Sequence, residues 1–234
     1  MIDAVQFRTI VRRNGIEVPD GQLASLDEYV RRLLEWNKSI NLISRRDEEN
    51  IWKHIIGSIS FLFRYNLARG RMLDLGTGGG LPGIPLSILH PDSEFVLVDS
   101  IQKKIKAVSA VIAEMNLQNV RAVCARGEEL SRDPEYRGRF DYVIARGVSE
   151  VRNVIEWSRM FLPGKQNDRG ERRPTGKPDL PKGSILMLKG GDLLAEIETA
   201  RVKFNPKDID VVPLIVDGGD PADFHDKKLI IIQP

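Results

Sequence analysis

Met72-Leu73-Asp74-Leu75-Gly76-Thr77-Gly78-Gly79-Gly80-Leu81-Pro82-Gly83-Ile84-Pro85 is the stretch whose reading decides the fold. A short apolar run ends in an acid, alternating glycines follow, and an apolar helical pattern begins at once. This is a buried strand turning into a helix while a ligand approaches the backbone. Glycine suits such a turn because it accepts positive φ and has no Cβ to hold a ligand away. The order strand, glycine turn, helix puts a site at the carboxyl edge of a parallel sheet. About 20 residues further on, a second apolar run, Phe95 to Val98, ends in Asp99. An acid at that spacing can accept hydrogen bonds from ribose hydroxyls.

Gly78, Gly80 and Gly83 satisfy the dinucleotide pattern G-x-G-x-x-G, which is weak evidence alone. A pyrophosphate needs free N–H groups at the helix start. Here the helix is expected to begin near Pro82, with Pro85 in the same turn, and neither residue has an N–H. Two of the first four free donors are therefore missing. S-adenosylmethionine has no phosphate and carries a sulfonium cation, so it suits the turn better. Asp74 is expected to favour that cation. The competing reading is a glycine turn with no ligand.

A chain of 234 residues suits one α/β domain with a small extension. With 41% hydrophobic and 29% charged residues, it has the balance of a soluble globular protein. No apolar run approaches the ~20 residues that span a bilayer, and Met1 to Arg13 lacks an apolar signal core. The single cysteine, Cys124, cannot form an internal disulfide, which suggests a reducing cytoplasm. Its place in an apolar run predicts buried strand filler. Three histidines and one cysteine give no metal-site spacing. A net charge of +2 neither demands nor excludes nucleic acid.

Residues 1–66 read as helices. Asp20 is expected to cap an amphipathic segment carrying Leu23, Leu26, Tyr29, Val30, Leu33, Leu34 and Trp36. Asp47 is expected to cap another, with Ile51, His54, Ile55, Ile59, Leu62 and Phe63. From Met72 onward, strands are predicted at 72–75, 94–99, 120–125, 140–145, 184–189, 209–216 and 227–233. Helices are predicted at 82–90, 101–115, 149–161 and 192–204, with a short turn near 128–132. The last two strands lack an intervening helix and should pair antiparallel at one end of the sheet. Residues 165–182 are polar, charged and rich in proline, which predicts a disordered insertion leaving from the amino edge.

Several motifs occur together and in order: Trp36 to Ser44, His54 with Ser58, the glycine turn through Leu86, Val98-Asp99-Ser100 with Lys103, Ala145-Arg146-Gly147, and Leu188-Lys189-Gly190. In these the chain resembles the GidB/RsmG family, bacterial 16S ribosomal RNA methyltransferases acting at guanine N7. The similarity spans roughly residues 20–234 outside 165–182. It implies a Rossmann-like class I methyltransferase sheet, residues 67–234, behind an N-terminal helical extension, residues 1–66. By the same resemblance the cofactor is S-adenosylmethionine and the partner is 16S ribosomal RNA or the small subunit. No membrane and no metal are expected, and the expected state is a cytoplasmic monomer. One departure concerns the substrate side: where the family reads His-x-x-Asp-Ser, this chain reads His54-Ile55-Ile56-Gly57-Ser58.

The resemblance implies cofactor contacts at the Gly76 turn, Leu81, Gly127, Glu128 and Arg146. Gly78, Gly80 and Asp99 join them from the reading above. Gly127 and Glu128 follow the third strand, where an N–H and a carboxylate can pair with adenine; Glu128 can also be an ordinary surface acid. Arg146 ends its strand and is expected to face the cofactor crevice. Guanine N7 carries a lone pair and no proton, so attack on a methyl group needs no general base. Placement of the base then carries the catalysis. Arg146 and Lys189 are the candidates to hold guanine O6 or a phosphate. His54 is read equally as a helix residue facing the core or as an RNA contact. Arg45, Arg46, Arg64, Lys103, Lys104 and Lys106 are candidates for phosphates, against the alternative of a solvated face. The competing functions are methylation of a small molecule or protein, and nucleotide binding without catalysis.

Overall fold

The computed structural model describes residues 2–164 and 176–234. Strands β1 (Arg71–Leu75), β2 (Glu94–Asp99), β3 (Val120–Cys124), β4 (Tyr142–Arg146), β5 (Ser184–Gly190), β6 (Asp208–Pro213) and β7 (Lys227–Gln233) form one sheet. Its order is β3-β2-β1-β4-β5-β7-β6. The first five strands are parallel, and β7 runs antiparallel between β5 and β6. The chain leaves β1 toward β2 on one side and later returns to β4 on the other. That reversal opens a crevice at the carboxyl ends of β1 and β4.

Side chains alternate across the sheet with period two. Met72, Phe95, Leu97, Tyr142, Ile144, Leu186 and Leu229 pack on one face. Leu73, Val96, Val98, Val143, Ala145, Met187 and Ile230 pack on the other. The first face is covered by α1 (Ala4–Arg13), α2 (Asp20–Asn37), α3 (Ile51–Ile59), α4 (Gly83–Leu89) and α5 (Gln102–Glu114). Against the second lie α6 (Gly127–Leu130), α7 (Val151–Ser158) and α8 (Leu194–Phe204). The short helix α9 (Pro221–Phe224) precedes β7 and buries Phe224 in the first cluster. The helices before residue 66 thus share one continuous apolar cluster with the sheet.

The predicted strands and the antiparallel end pair are present. Four local expectations are corrected. Asp20 does not cap α2: Pro19 holds the cap position without a side-chain bond, and Asp20 instead accepts from Arg8 at 2.5 Å. Asp47 does not cap α3, because it lies inside a 3-10 turn over Arg45–Asn50 that precedes the helix. Cys124 is exposed, since β3 is an edge strand and its end is uncovered. Of the predicted insertion, residues 165–175 lie outside the described residues, but 177–182 pack closely. Asn66 bridges to Asp179 as a parallel pair. The Tyr142 hydroxyl donates to the Leu180 carbonyl at 2.8 Å, and Lys177 donates to the Leu62 carbonyl at 3.0 Å. Buried Leu180, the one apolar residue of that stretch, anchors it.

Candidate active site

The glycine turn is held from below and from the side. Asp74 is buried, and its Oδ2 accepts from the Thr77 hydroxyl at 2.6 Å and the Gly83 N–H at 2.9 Å. The carboxylate therefore faces into the core beneath the turn, which corrects its expected role beside a cation. Burial raises its pKa to about 6, against the lowering effect of those two hydrogen bonds. Tyr29 of α2 donates to the Gly79 carbonyl at 3.0 Å. On the open side, Asp99 accepts from the Gly78 N–H at 3.0 Å and the Ile101 N–H at 2.9 Å. A carboxylate has about four lone-pair positions, so Asp99 keeps acceptor capacity for a ribose.

The start of α4 has no free N–H for a phosphate. Pro82 and Pro85 lack the group. Gly83 is bonded to Asp74, and Ile84 donates to the Gly80 carbonyl at 2.8 Å. The sequence argument against a pyrophosphate thus holds in three dimensions.

Above the turn lies a crevice of about 340 Å³. Gly76, Gly78, Asp99, Gly127 and Glu128 line it, as expected. Gly78 has φ +58°, and a Cβ there would meet only the Leu42 carbonyl at 3.8 Å. Apolar surface comes from Val98, Ile101, Ala125, Val148 and Trp157. Trp157 projects from α7 and belongs to no motif, so sequence reasoning missed it. Gly80 and Leu81 lie behind the turn. Gly80 has φ +100°, and a Cβ there would also meet Ile84 Cδ1 at 2.6 Å, so its glycine serves the backbone of the turn and its packing, and Leu81 is buried in the core. Lys104 also lines the crevice, which separates it from its exposed neighbours Lys103 and Lys106.

A second cavity, of about 410 Å³, adjoins the crevice, and Gly147 lines both. Arg146 belongs to this second cavity and not to the crevice, which corrects the expected orientation. Alternation explains it. Ala145 points to the α7 face, so Arg146 points to the α3 face. There it donates to the His54 carbonyl at 2.9 Å and the Ser58 hydroxyl at 2.8 Å. Lys189, next to Leu188, points the opposite way. Its ammonium is held by Glu196 of α8 at 2.5 Å and the Ser149 carbonyl at 3.1 Å, although it still lines the cavity. The Glu196 carboxyl is raised by burial, but the bonds from Lys189 and the Val151 N–H outweigh that and leave it lowered. His54 lines the cavity too. Burial and the Arg146 charge push its pKa below the ordinary histidine value, against Asp47. The ring is thus neutral at pH 7. Asp47 and Phe224 complete the wall, from segments that no motif had joined.

With this geometry in place, comparison with known proteins is decisive. The GidB model, described as rRNA small subunit methyltransferase G, matches residues 22–167. The chain belongs to this family. A ribosomal RNA small subunit methyltransferase G from Chlorobium limicola is 39% identical, over 94% of this chain and 92% of that protein. One of the same name from Chlorobaculum tepidum is 36% identical, over 96% and 95%. The crystal structure of a SAM dependent methyltransferase from Aquifex aeolicus shares the fold, with a TM-score of 0.53, 12% identity and coverage of 86% of this chain and 97% of that one. Gly57 is the position where the sequence resemblance implied an aspartate. A Cβ there would meet nothing within 4 Å, and the position lines the second cavity.

Proposed function

We propose that the protein transfers a methyl group from S-adenosylmethionine to N7 of a guanine in 16S ribosomal RNA. The observation that carries this reading is a phosphate-averse nucleoside crevice joined at Gly147 to a second cavity with room for a base. When bound, S-adenosylmethionine supplies a methyl group on sulfonium, which the N7 lone pair takes as the S–C bond breaks. The chain's residues do the placing. Gly76, Gly78 and Asp99 receive the ribose and methionine parts, and Gly127, Glu128 and Trp157 enclose the adenine. Gly80 and Leu81 back the turn. Arg146 and Lys189 shape the acceptor cavity. Arg146 faces guanine O6 or a phosphate with the donors that His54 and Ser58 leave free, since guanidinium has five N–H groups. N7 bears no proton, so catalysis rests on holding the base in line.

In this reading residues 1–66 are an extension that completes the acceptor cavity, and 67–234 carry the cofactor. Exposed Arg45, Lys103 and Lys106 supply phosphate contacts, the main source of RNA affinity. The protein then works in the cytoplasm, where its RNA is. Among the described residues no helix is long and apolar enough to cross a membrane.

The test uses methyl-labelled S-adenosylmethionine with small-subunit ribosomal RNA from cells lacking the protein. Label is expected in the RNA, released as 7-methylguanosine on digestion. Label in a protein or small-molecule fraction, with none in RNA, contradicts the reading.

A further inference from the structure

Several charged groups around the second cavity are already held by partners, and Lys227 and Lys228 add positive charge to its wall. Lys53 pairs with Asp223 at 2.8 Å. Lys189 pairs with Glu196, and Arg146 with His54 and Ser58. Of the two carboxylates lining the cavity, Asp223 is thereby neutralised. Asp47 is different. It contacts the His54 ring at 3.4 Å, its side chain is 42% exposed, and it also feels the Arg146 charge. No hydrogen bond among the described residues saturates this carboxylate, so Asp47 presents acceptor oxygens to the cavity from the wall it shares with Arg146. The Arg146 bond to the His54 carbonyl fixes the helix turn that carries the ring, and the ring in turn positions Asp47.

An acceptor guanine that presents N7 to the junction at Gly147 turns its opposite edge away from the crevice. That edge carries two kinds of donor, N1–H and the N2 amino group. A carboxylate accepts both at once, whereas adenine has no N1–H to give. Asp47 belongs to the wall built by the 3-10 turn before α3, and it does not line the crevice. Resting on the functional reading above, we propose that Asp47 reads the N1 and N2 edge of the acceptor base and selects guanine.

The test compares wild type and Asp47→Ala on two RNAs, one with the natural target guanosine and one with inosine in its place. Inosine keeps N7, O6 and N1–H and loses only the N2 amino group. Wild-type kcat/KM is expected to fall about ten- to a hundredfold on the inosine RNA, the usual size of a paired hydrogen-bond readout. Asp47→Ala should lower the guanosine rate by a similar factor and treat both RNAs nearly alike. Its affinity for S-adenosylhomocysteine, measured by calorimetry, should match wild type. An unchanged guanosine-to-inosine ratio in Asp47→Ala overturns the proposal, as does loss of S-adenosylhomocysteine binding, which would place the residue in the cofactor site. If wild type puts no methyl on guanine N7 at all, the functional reading falls first. If it does so while the variant keeps the wild-type ratio, only the role of Asp47 falls.

Discussion

The two cavities that meet at Gly147 are built on different principles. The crevice is a backbone construction: one glycine turn, one helix start stripped of free N–H groups, and one carboxylate tied to two backbone donors. Its ligand is defined by close approach and by what the helix start withholds. The acceptor cavity is a side-chain construction, with walls from the 3-10 turn before α3, from α3, β4, β5, α9 and β7. Lys53 and Lys189 are paired with carboxylates, and Arg146 is held by a carbonyl and a hydroxyl. A cofactor common to many reactions needs a standard backbone cradle, whereas one acceptor base needs a particular set of side chains. Damage to the first should therefore abolish cofactor binding, and damage to the second should alter what is methylated and how fast.

Asp99→Ala should give the largest effect. It removes a charged acceptor from two backbone N–H groups that hold the turn. Hydrogen bonds to charged groups contribute about 1.5–3 kcal/mol each, so S-adenosylhomocysteine affinity should fall at least a hundredfold by calorimetry. An affinity within a fewfold of wild type would show that the turn does not define the crevice.

Asp74 tests the floor of the same crevice through pH. Its folded pKa, about 6, lies above the ordinary 3.8. Its contribution to stability is therefore fully present below pH 3.8 and lost as pH rises through about 6. At about 1.4 kcal/mol per pKa unit, wild type should lose about 2 kcal/mol relative to Asp74→Asn between pH 4 and 7. Denaturant unfolding of both proteins across that range measures the difference. A constant difference would mean that the carboxylate does not titrate as a buried group.

Arg146→Ala should leave S-adenosylhomocysteine affinity nearly intact and lower single-turnover methylation at saturating RNA about tenfold, or ~1.4 kcal/mol in the barrier. The reverse pattern would move Arg146 back into the crevice. The smallest effect is expected from Lys103→Ala with Lys106→Ala. Each lost phosphate contact should flatten the log–log salt dependence of RNA affinity by about 0.7 to 0.9, with saturated turnover little changed. An unchanged salt slope would make those lysines a solvated face.

Most of the sheet and the crevice was legible in the sequence, because both depend on local patterns. Strands announce themselves as short apolar runs, and a turn that needs positive φ announces itself as glycine. Asp99 followed from spacing along the chain. The acceptor cavity was less legible, because Asp47, His54, Arg146 and Phe224 meet only through tertiary packing. One part of it was available and went unused: counting by twos from Ala145 places Arg146 on the α3 face and Lys189 on the other. Trp157 gave no signal, since a tryptophan on an amphipathic helix has the same pattern whether it fills a core or lines a crevice. The residues around Leu180 were misread as disordered because composition hides a single apolar anchor among charges. Capping at Asp20 and Asp47 failed because helix starts here are set by Pro19 and by a 3-10 turn.

The central claim is that the joined cavities deliver a methyl group to guanine N7 in small-subunit ribosomal RNA. The most direct measurement maps 7-methylguanine along that RNA in cells with the protein, without it, and with the Asp99→Ala variant in its place. The account predicts a guanine that is methylated at N7 with the wild-type protein and unmodified in the other two. An identical map in all three would contradict it.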